Sequence, residues 1–121
     1  MNPKSNNPLA EIQAKLKAPK GQFNSFGKYK YRSAEDILES VKPVINPKGF
    51  YVSISDTIIL VGDRYYVQAV ATLTDGKETY SATGYAREEE SKKGMDGSQV
   101  TGAASSYARK YALNGLFALD D

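Results

Sequence analysis

The chain has 121 residues, enough for one compact domain, and its 16 basic and 14 acidic residues leave a formal net charge of +2. Its 40% hydrophobic and 25% charged residues are typical of a folded globular protein. It has no cysteine and no histidine, which excludes disulfides and thiolate metal sites and disfavours catalysis, because histidine is the commonest general base. No apolar run reaches the ~20 residues of a membrane span and no secretory signal is visible, so we expect a soluble intracellular protein without a membrane partner.

The first third of the chain predicts a helix, a loop and a short strand. Apolar residues at helical spacing predict a helix over residues 8–17, and prolines and glycines predict a loop over 18–27. Residues 28–32, KYKYR, alternate cations with tyrosines as in a strand. We expect both tyrosines to pack inward, leaving a basic stripe of Lys28, Lys30 and Arg32 on the other face.

A second helix is predicted to begin after Ser33. Ser33 can serve as its N-cap, and Asp36 completes an acidic variant of the capping box. Pro43 predicts a kink or a tightened end, because it removes a backbone hydrogen bond. The helix should stop in the NPKG sequence of residues 46–49.

Three strands in a meander follow, predicted over residues 50–61, 64–74 and 77–87. They are separated by Gly62-Asp63 and Asp75-Gly76, which are typical of two-residue hairpin turns. Such turns fix the register, so Ile59 should face Tyr66 in the first hairpin and Tyr66 should face Tyr85 in the second.

This register divides the strand residues between a core face and an outer face. The residues expected in the core are Val52, Ile54, Ile58, Leu60, Tyr65, Val67, Ala69, Ala71, Leu73, Tyr80, Ala82 and Ala86. Asp56 falls on the core face, so we expect a bulge near it.

The last helix is predicted from Ser98 to Leu113, with Asn114-Gly115 as its C-cap. Its expected packing face comprises Val100, Ala103, Ala104, Tyr107, Ala108 and Tyr111. The element order therefore predicts an α+β domain, in which helices pack on one face of a three-stranded antiparallel meander.

Three surfaces could bind a nucleic acid. On the outer sheet face, the Tyr66–Tyr85 pair between Arg64 and Arg87 could stack bases and hold phosphates, or could be an ordinary cross-strand pair or a subunit interface. On the last helix, Thr101, Gly102, Ser105 and Arg109 form a row of mostly small residues, with Lys110 at one edge. This row could approach DNA or another subunit, or it could pack on the protein's own sheet. The third surface is the basic stripe at residues 28–32. Lys92 and Lys93 lie in a separate glycine-bearing loop, whose simplest interpretation is a solvated loop without a binding role.

Three segments resemble the ERF (essential recombination function) family of phage proteins. They are YKYRSAEDILESVKP (residues 29–43), GDRYYVQAVATLTDG (62–76) and GMDGSQVTGAASSYARKYALNGLF (94–117). The third segment is long and unusual in composition, and all three occur in the family's order. The resemblance covers residues 27–121 and divides the chain into an N-terminal helix with a flexible loop, residues 1–26, and an annealing core domain, residues 27–121.

The resemblance implies ATP-independent binding and annealing of complementary single strands during phage recombination, in the cytoplasm of the bacterial host. It further implies a β-β-β-α core like that of eukaryotic single-strand annealing proteins, assembly into a homo-oligomeric ring or helix, and no cofactor, metal or catalytic residue. Single-stranded DNA and the annealed duplex would be its partners, and a phage exonuclease and a single-strand binding protein are further partners that the family suggests. The alternatives are a single-strand binding protein without annealing activity and a nuclease, although no carboxylate cluster in the sequence supports a nuclease.

The residues expected to contact DNA combine the three surfaces and the loop. They are Lys28, Lys30, Arg32, Arg64, Tyr66, Tyr85, Arg87, Lys92, Lys93, Thr101, Ser105, Arg109 and Lys110.

Overall fold

The structure, a computed structural model, describes residues 7–89 and 96–120. Its elements are α1 (Pro8–Lys15), β1 (Gln22–Asn24), β2 (Tyr29–Tyr31), α2 (Ala34–Ile45), a 3-10 turn (Asn46–Lys48), β3 (Tyr51–Val61), β4 (Arg64–Thr74), β5 (Thr79–Arg87) and α3 (Gly97–Phe117). The antiparallel order β3-β4-β5 confirms the predicted α+β meander. Within the described ranges, no helix is long and apolar enough to cross a membrane.

The segment between α1 and α2 is more ordered than the sequence predicts. The expected loop over residues 18–27 contains β1, which pairs with β2 in a small antiparallel hairpin. The three residues of β1, QFN, are too few to show a strand periodicity. The predicted division after residue 26 falls within the turn of this hairpin, and Ile12 of α1 is buried in the same hydrophobic cluster as α2, the sheet and α3.

The first hairpin of the meander has the predicted register, with Ile59 opposite Tyr66. The second is shifted by two residues, because its loop has four residues instead of two and β5 begins at Thr79. The Asp75 carboxylate accepts hydrogen bonds from the backbone N–H groups of Lys77 (2.9 Å) and Glu78 (2.8 Å), which stabilises the longer loop. A shift of two residues keeps every side chain on its predicted face.

α2 begins as predicted. The Ser33 hydroxyl accepts a hydrogen bond from the Asp36 N–H (3.1 Å), and the Asp36 carboxylate accepts one from the Ser33 N–H (2.9 Å). The helix continues through Pro43 and tightens into the 3-10 turn, which ends at Gly49 in the left-handed conformation (φ 81°). Because a side chain is strained at that φ, glycine is the residue expected there.

α3 packs on the sheet through its smallest side chains. Ala104, Ala108 and Ala112 recur every four residues, and all three are buried. The helix backbone at Ala108 and Ala112 lies against Gly84 of β5, where an added methyl group would overlap the carbonyl oxygen of Ala108 and the amide nitrogen of Ala112. The glycine therefore allows the helix backbone to approach the strand closely.

Because of this contact, α3 packs on the sheet with a different face from the predicted one. Tyr107 and Tyr111 were expected in the packing face but are 52% and 42% exposed. The helix also runs past Leu113 to Phe117, and its left-handed C-cap is Ala118. Asn114 and Gly115 therefore lie inside the helix, because Leu116 and Phe117 are buried and extend its apolar side.

The far end of the first hairpin is not covered by a helix. Ile58, Leu60 and Tyr65 lie on the predicted core face, yet they are 54%, 58% and 52% exposed. The bulge expected beside Asp56 is also absent, because β3 and β4 pair without interruption and Asp56 lies opposite Ala69. The Asp56 carboxylate stays on the helix side of the sheet, where α3 supplies its hydrogen-bond donors.

The contact at Gly84 predicts opposite effects for two glycine substitutions. Gly84→Ala should lower the free energy of unfolding by about 1–3 kcal/mol, because overpacking forces the helix away from the strand. Gly102→Ala, the matched control on the open side of α3, should raise it by ~0.5–1 kcal/mol, because alanine favours the helix and meets no atom within 4 Å. Urea denaturation of both variants measures these changes. A Gly84→Ala variant as stable as the unsubstituted protein would contradict the close approach.

Candidate nucleic-acid interface

A cleft of about 270 Å³ lies between the β1–β2 hairpin, the start of α2 and one flank of α3. The residues that line it are Asn24, Tyr29, Tyr31, Arg32, Ser33, Ala34, Glu35, Ala103, Ser106, Tyr107 and Lys110. Three tyrosine rings therefore share one concave surface with two basic residues and one carboxylate. Aromatic rings beside cations are the combination that binds unpaired bases and their phosphates.

The hairpin supplies two of these tyrosines. Tyr29 and Tyr31 are two residues apart on β2 and so point to the same side of it. Their ring centroids are 6.0 Å apart and the rings meet edge to face. Asn24 of β1 lies opposite Tyr29, and its side-chain amide donates to the Tyr29 hydroxyl (3.1 Å). Both rings are thus held towards the cleft by the pairing of β1 with β2.

The third tyrosine comes from α3. Because the alanine row occupies the sheet side of the helix, Tyr107 is directed along the flank that faces the hairpin. Tyr111 lies one turn further on and stacks on Tyr107, with ring centroids 6.2 Å apart and ring planes 29° apart. Tyr111 does not line the cleft. Only Tyr107 of this pair can therefore present its ring to a ligand there.

The prediction that Lys28, Lys30 and Arg32 form an exposed basic stripe is wrong. Arg32 is buried and stabilises the fold. Its side chain is only 8% exposed, its Nε donates to the Ala18 carbonyl (2.7 Å), and its terminal nitrogens bond the Asp120 carbonyl and carboxylate. Lys28 lies in the hairpin turn with φ 58°, so it does not continue the strand alternation. Lys30 alone keeps the predicted position, exposed on the face of β2 opposite Tyr29 and Tyr31.

The polar row of α3 joins the helix to the sheet. The Thr101 hydroxyl donates to the Glu88 carboxylate (2.9 Å), and the Ser105 hydroxyl donates to Asp56. Arg109 forms an ion pair with Asp56: its Nη2 lies 3.0 Å from Oδ2, and its Nε donates to Oδ1 (3.1 Å). These contacts agree with the alternative that this row packs on the protein's own sheet.

The charge state of Asp56 follows from these contacts. Partial burial of the carboxylate acts to raise its pKa. Hydrogen bonds from Arg109 and Ser105, together with the charge of Arg109, outweigh that effect and hold the pKa below its usual value of 3.8. The ion pair is therefore fully formed near neutral pH.

The outer sheet face keeps its predicted composition but not its predicted pairing. Tyr66 lies opposite Arg87, and Tyr85 lies opposite Gln68, whose side-chain amide donates to the Tyr85 hydroxyl (3.1 Å). The predicted pairing of Tyr66 directly opposite Tyr85 is therefore wrong. The two residues are diagonal neighbours on adjacent strands. Arg64 donates to the backbone carbonyl of Glu88 (2.9 Å). Every second residue of the three strands faces this side, and none of those residues is acidic.

The structure thus separates the predicted contact residues into distinct places. Lys110 and Arg32 line the cleft, and Thr101, Ser105 and Arg109 hold α3 to the sheet. Lys92 and Lys93 lie outside the described residues. The tyrosines of the cleft were not predicted as contacts, because Tyr29, Tyr31 and Tyr107 were all assigned to packing. The four-residue spacing of Tyr107 and Tyr111 was visible in the sequence, but only the contact at Gly84 shows which way they face.

Comparison with known proteins identifies relatives of the whole domain. A family model described as the ERF superfamily matches residues 6–121. A protein named "Essential recombination function protein", from Salmonella phage P22, is 70% identical over 113 residues, which are 93% of this chain and 54% of that protein. The chain thus spans about half the length of this relative. No solved structure gives a significant match.

The Asp56–Arg109 ion pair predicts a pH-dependent contribution to stability. Because the pKa of Asp56 is lowered in the folded state, the contribution is complete above the unfolded value near 3.8 and is lost as the pH falls through the folded value. Asp56→Asn should therefore lower the free energy of unfolding by about 0.5–1 kcal/mol at pH 7, a magnitude that allows for the partial exposure of the pair, and by less in acid.

Thermal unfolding of both proteins between pH 2 and pH 7 measures this difference. Glu39→Gln, which removes an exposed ion pair with Lys42, is the matched control and should change little. If the difference in melting temperature between Asp56→Asn and the unsubstituted protein is the same at every pH, the ion pair does not lower the pKa of Asp56, which would contradict this account.

Proposed function

We propose, on the premise that the chain belongs to the ERF superfamily, that it binds single-stranded DNA and anneals complementary strands in phage homologous recombination. The name of the phage P22 relative supports the recombination role. We further propose that annealing needs neither ATP nor a cofactor and that the protein acts by binding and not by catalysis. The sequence supports this because it contains no Walker-type phosphate-binding motif and no histidine.

The tyrosine-lined cleft is the observation that carries the proposal. Stacking of a base on an aromatic ring contributes ~1–3 kcal/mol and tolerates any base, because every base has a π face. Lys110 lines the same cleft and supplies a cation for the phosphate backbone. A binding site built from stacking and charge needs no hydrogen bonds to base edges. The edges of the bound strand would then stay available for pairing, as annealing requires.

The outer sheet face supports a second contact with nucleic acid. None of the strand residues on this face is acidic, so most of the surface does not repel phosphates, although Glu89, two residues beyond the end of β5, lines a shallow pocket together with Arg87. We place Tyr66, Tyr85 and Arg87 in contact with the backbone of the second strand or of the annealed duplex. This assignment is secondary to the cleft because the surface is flat and does not enclose a base.

We also propose that the protein acts as a homo-oligomeric ring or helix. The uncovered end of the first hairpin, with Ile58, Leu60 and Tyr65 each more than half exposed, is an apolar patch of the kind that subunit contacts bury. A patch at the end of one sheet can be covered by a neighbouring copy without blocking the cleft, which lies on the opposite flank of α3. A phage exonuclease and a host or phage single-strand binding protein remain proposed partners.

Replacing Tyr107 tests the cleft against a control one turn away. Tyr107→Leu should weaken binding of a labelled dT oligonucleotide by about 5- to 150-fold, the range for loss of one stacked base, and should slow annealing of two complementary oligonucleotides. Tyr111→Leu removes the same tyrosine–tyrosine stack on the same helix but leaves the cleft intact, so it should bind and anneal normally.

Fluorescence anisotropy measures binding and fluorescence transfer measures annealing, both at one fixed salt concentration because phosphate contacts are salt-dependent. Equal losses in the two variants would assign the effect to helix packing and contradict the cleft. Binding without any acceleration of annealing by the unsubstituted protein would favour the alternative, a single-strand binding protein that does not anneal.

A further inference from the structure

The tip of the β1–β2 hairpin carries a fully exposed phenylalanine. Phe26 is 99% exposed, the largest value for any large hydrophobic residue among those described. Phe23, on β1 of the same hairpin, is 60% exposed. An aromatic ring that is fully exposed to water gains no stabilisation from burial in the folded protein. Covering such a ring with a ligand is therefore favourable.

The turn holds Phe26 outward through a set of local bonds. The Asn24 carbonyl accepts from the Lys28 N–H (2.7 Å), and the Asn24 side-chain oxygen accepts from the Gly27 N–H (2.8 Å). The Tyr29 ring lies so close to Gly27 that any side chain at that position would overlap it. Phe26 therefore lies in a turn that is held by local hydrogen bonds and packed on one side by the Tyr29 ring.

Two lysines of the same hairpin follow Phe26 in the chain. Lys28 follows it in the turn, and Lys30 lies opposite Phe23 on the face of the hairpin that is turned away from the cleft. From residue 12 to residue 34 the sequence contains no aspartate or glutamate. The tip thus presents aromatic rings among positive charges, which suits a polyanion with stacked apolar rings better than an apolar protein surface.

We propose that Phe26 stacks on an unpaired base of the DNA strand whose neighbouring nucleotides occupy the tyrosine-lined cleft. The inference rests on the proposed function and extends its site from the cleft to the hairpin tip, because Tyr29 touches Gly27 on one side and lines the cleft on the other. Lys28 and Lys30 neutralise the phosphates on either side of the stacked base. The hairpin then acts as an aromatic wedge that interrupts the stacking of the bound strand and keeps it open for pairing.

The absence of tryptophan from the sequence allows a direct test. In Phe26→Trp the new indole is the only one in the protein, and stacking on a base should quench its fluorescence when a dT oligonucleotide is added. Lys77→Trp places an indole in the exposed loop between β4 and β5, which lines neither the cleft nor the Tyr66–Arg87 end of the outer face, and its fluorescence should not change. Phe26→Ala should weaken binding of the oligonucleotide by about 5- to 150-fold, and Phe26→Trp should restore it.

Each outcome decides the question. Normal oligonucleotide binding by Phe26→Ala, or unquenched fluorescence of a bound Phe26→Trp protein, would overturn the wedge while leaving the proposed function in place. A smaller assembly of Phe26→Ala in sedimentation, without DNA, would show that a second copy of the chain covers the ring and would also overturn it. Failure of the unsubstituted protein to bind any oligonucleotide would remove the proposed function and the wedge together. Because the ring touches no core residue, circular dichroism of both variants should match that of the unsubstituted protein.

Discussion

The backbone of α3 lies directly against Gly84 of β5, and no side chain larger than hydrogen fits between them. The alanines at positions 104, 108 and 112 are the other half of this contact, because larger residues there would lift the helix from the sheet. Once the alanine row faces the strand, the orientation of every other residue of α3 is fixed. Tyr107 must lie on the flank beside the hairpin, and Ser105 and Arg109 must lie over the edge strand β3, within reach of Asp56.

The basic residues of the domain fall into two groups. Arg109 and Arg32 bond to carboxylates and carbonyls of the protein itself and connect elements that are distant in sequence. Lys30 on β2 and Arg87 on β5 are exposed on strand surfaces. A small domain without disulfides needs such internal ties, because its core alone contributes limited stability. The number of basic residues in the sequence is therefore larger than the number that can contact a nucleic acid.

Local signals in the sequence predicted the parts of the fold that local chemistry determines. The capping box at Ser33 and Asp36 depends on adjacent residues alone, and the Gly62-Asp63 turn sets the first register without help from the rest of the chain. The second turn was predicted wrongly because the Asp75 side chain can accept two backbone N–H groups, which favours a four-residue loop over the two-residue turn that Asp75-Gly76 suggests. The rotation of α3 could not be predicted, since helical periodicity does not show that Gly84 lies beneath the alanines. The cleft and the inward position of Arg32 depend on contacts between residues up to 88 positions apart, for which one sequence contains no signal.

Photocrosslinking tests most directly whether the cleft beside α3 is where single-stranded DNA binds. An oligonucleotide containing 5-iodouracil reacts with aromatic side chains that stack on it, and mass spectrometry of the crosslinked peptides identifies the residues. If the close contact at Gly84 places Tyr107 in a base-binding cleft, the crosslinks should fall on Tyr107 and on Tyr29 or Tyr31 of the hairpin. Crosslinks confined to Tyr66 and Tyr85 on the outer face of the sheet would contradict this account.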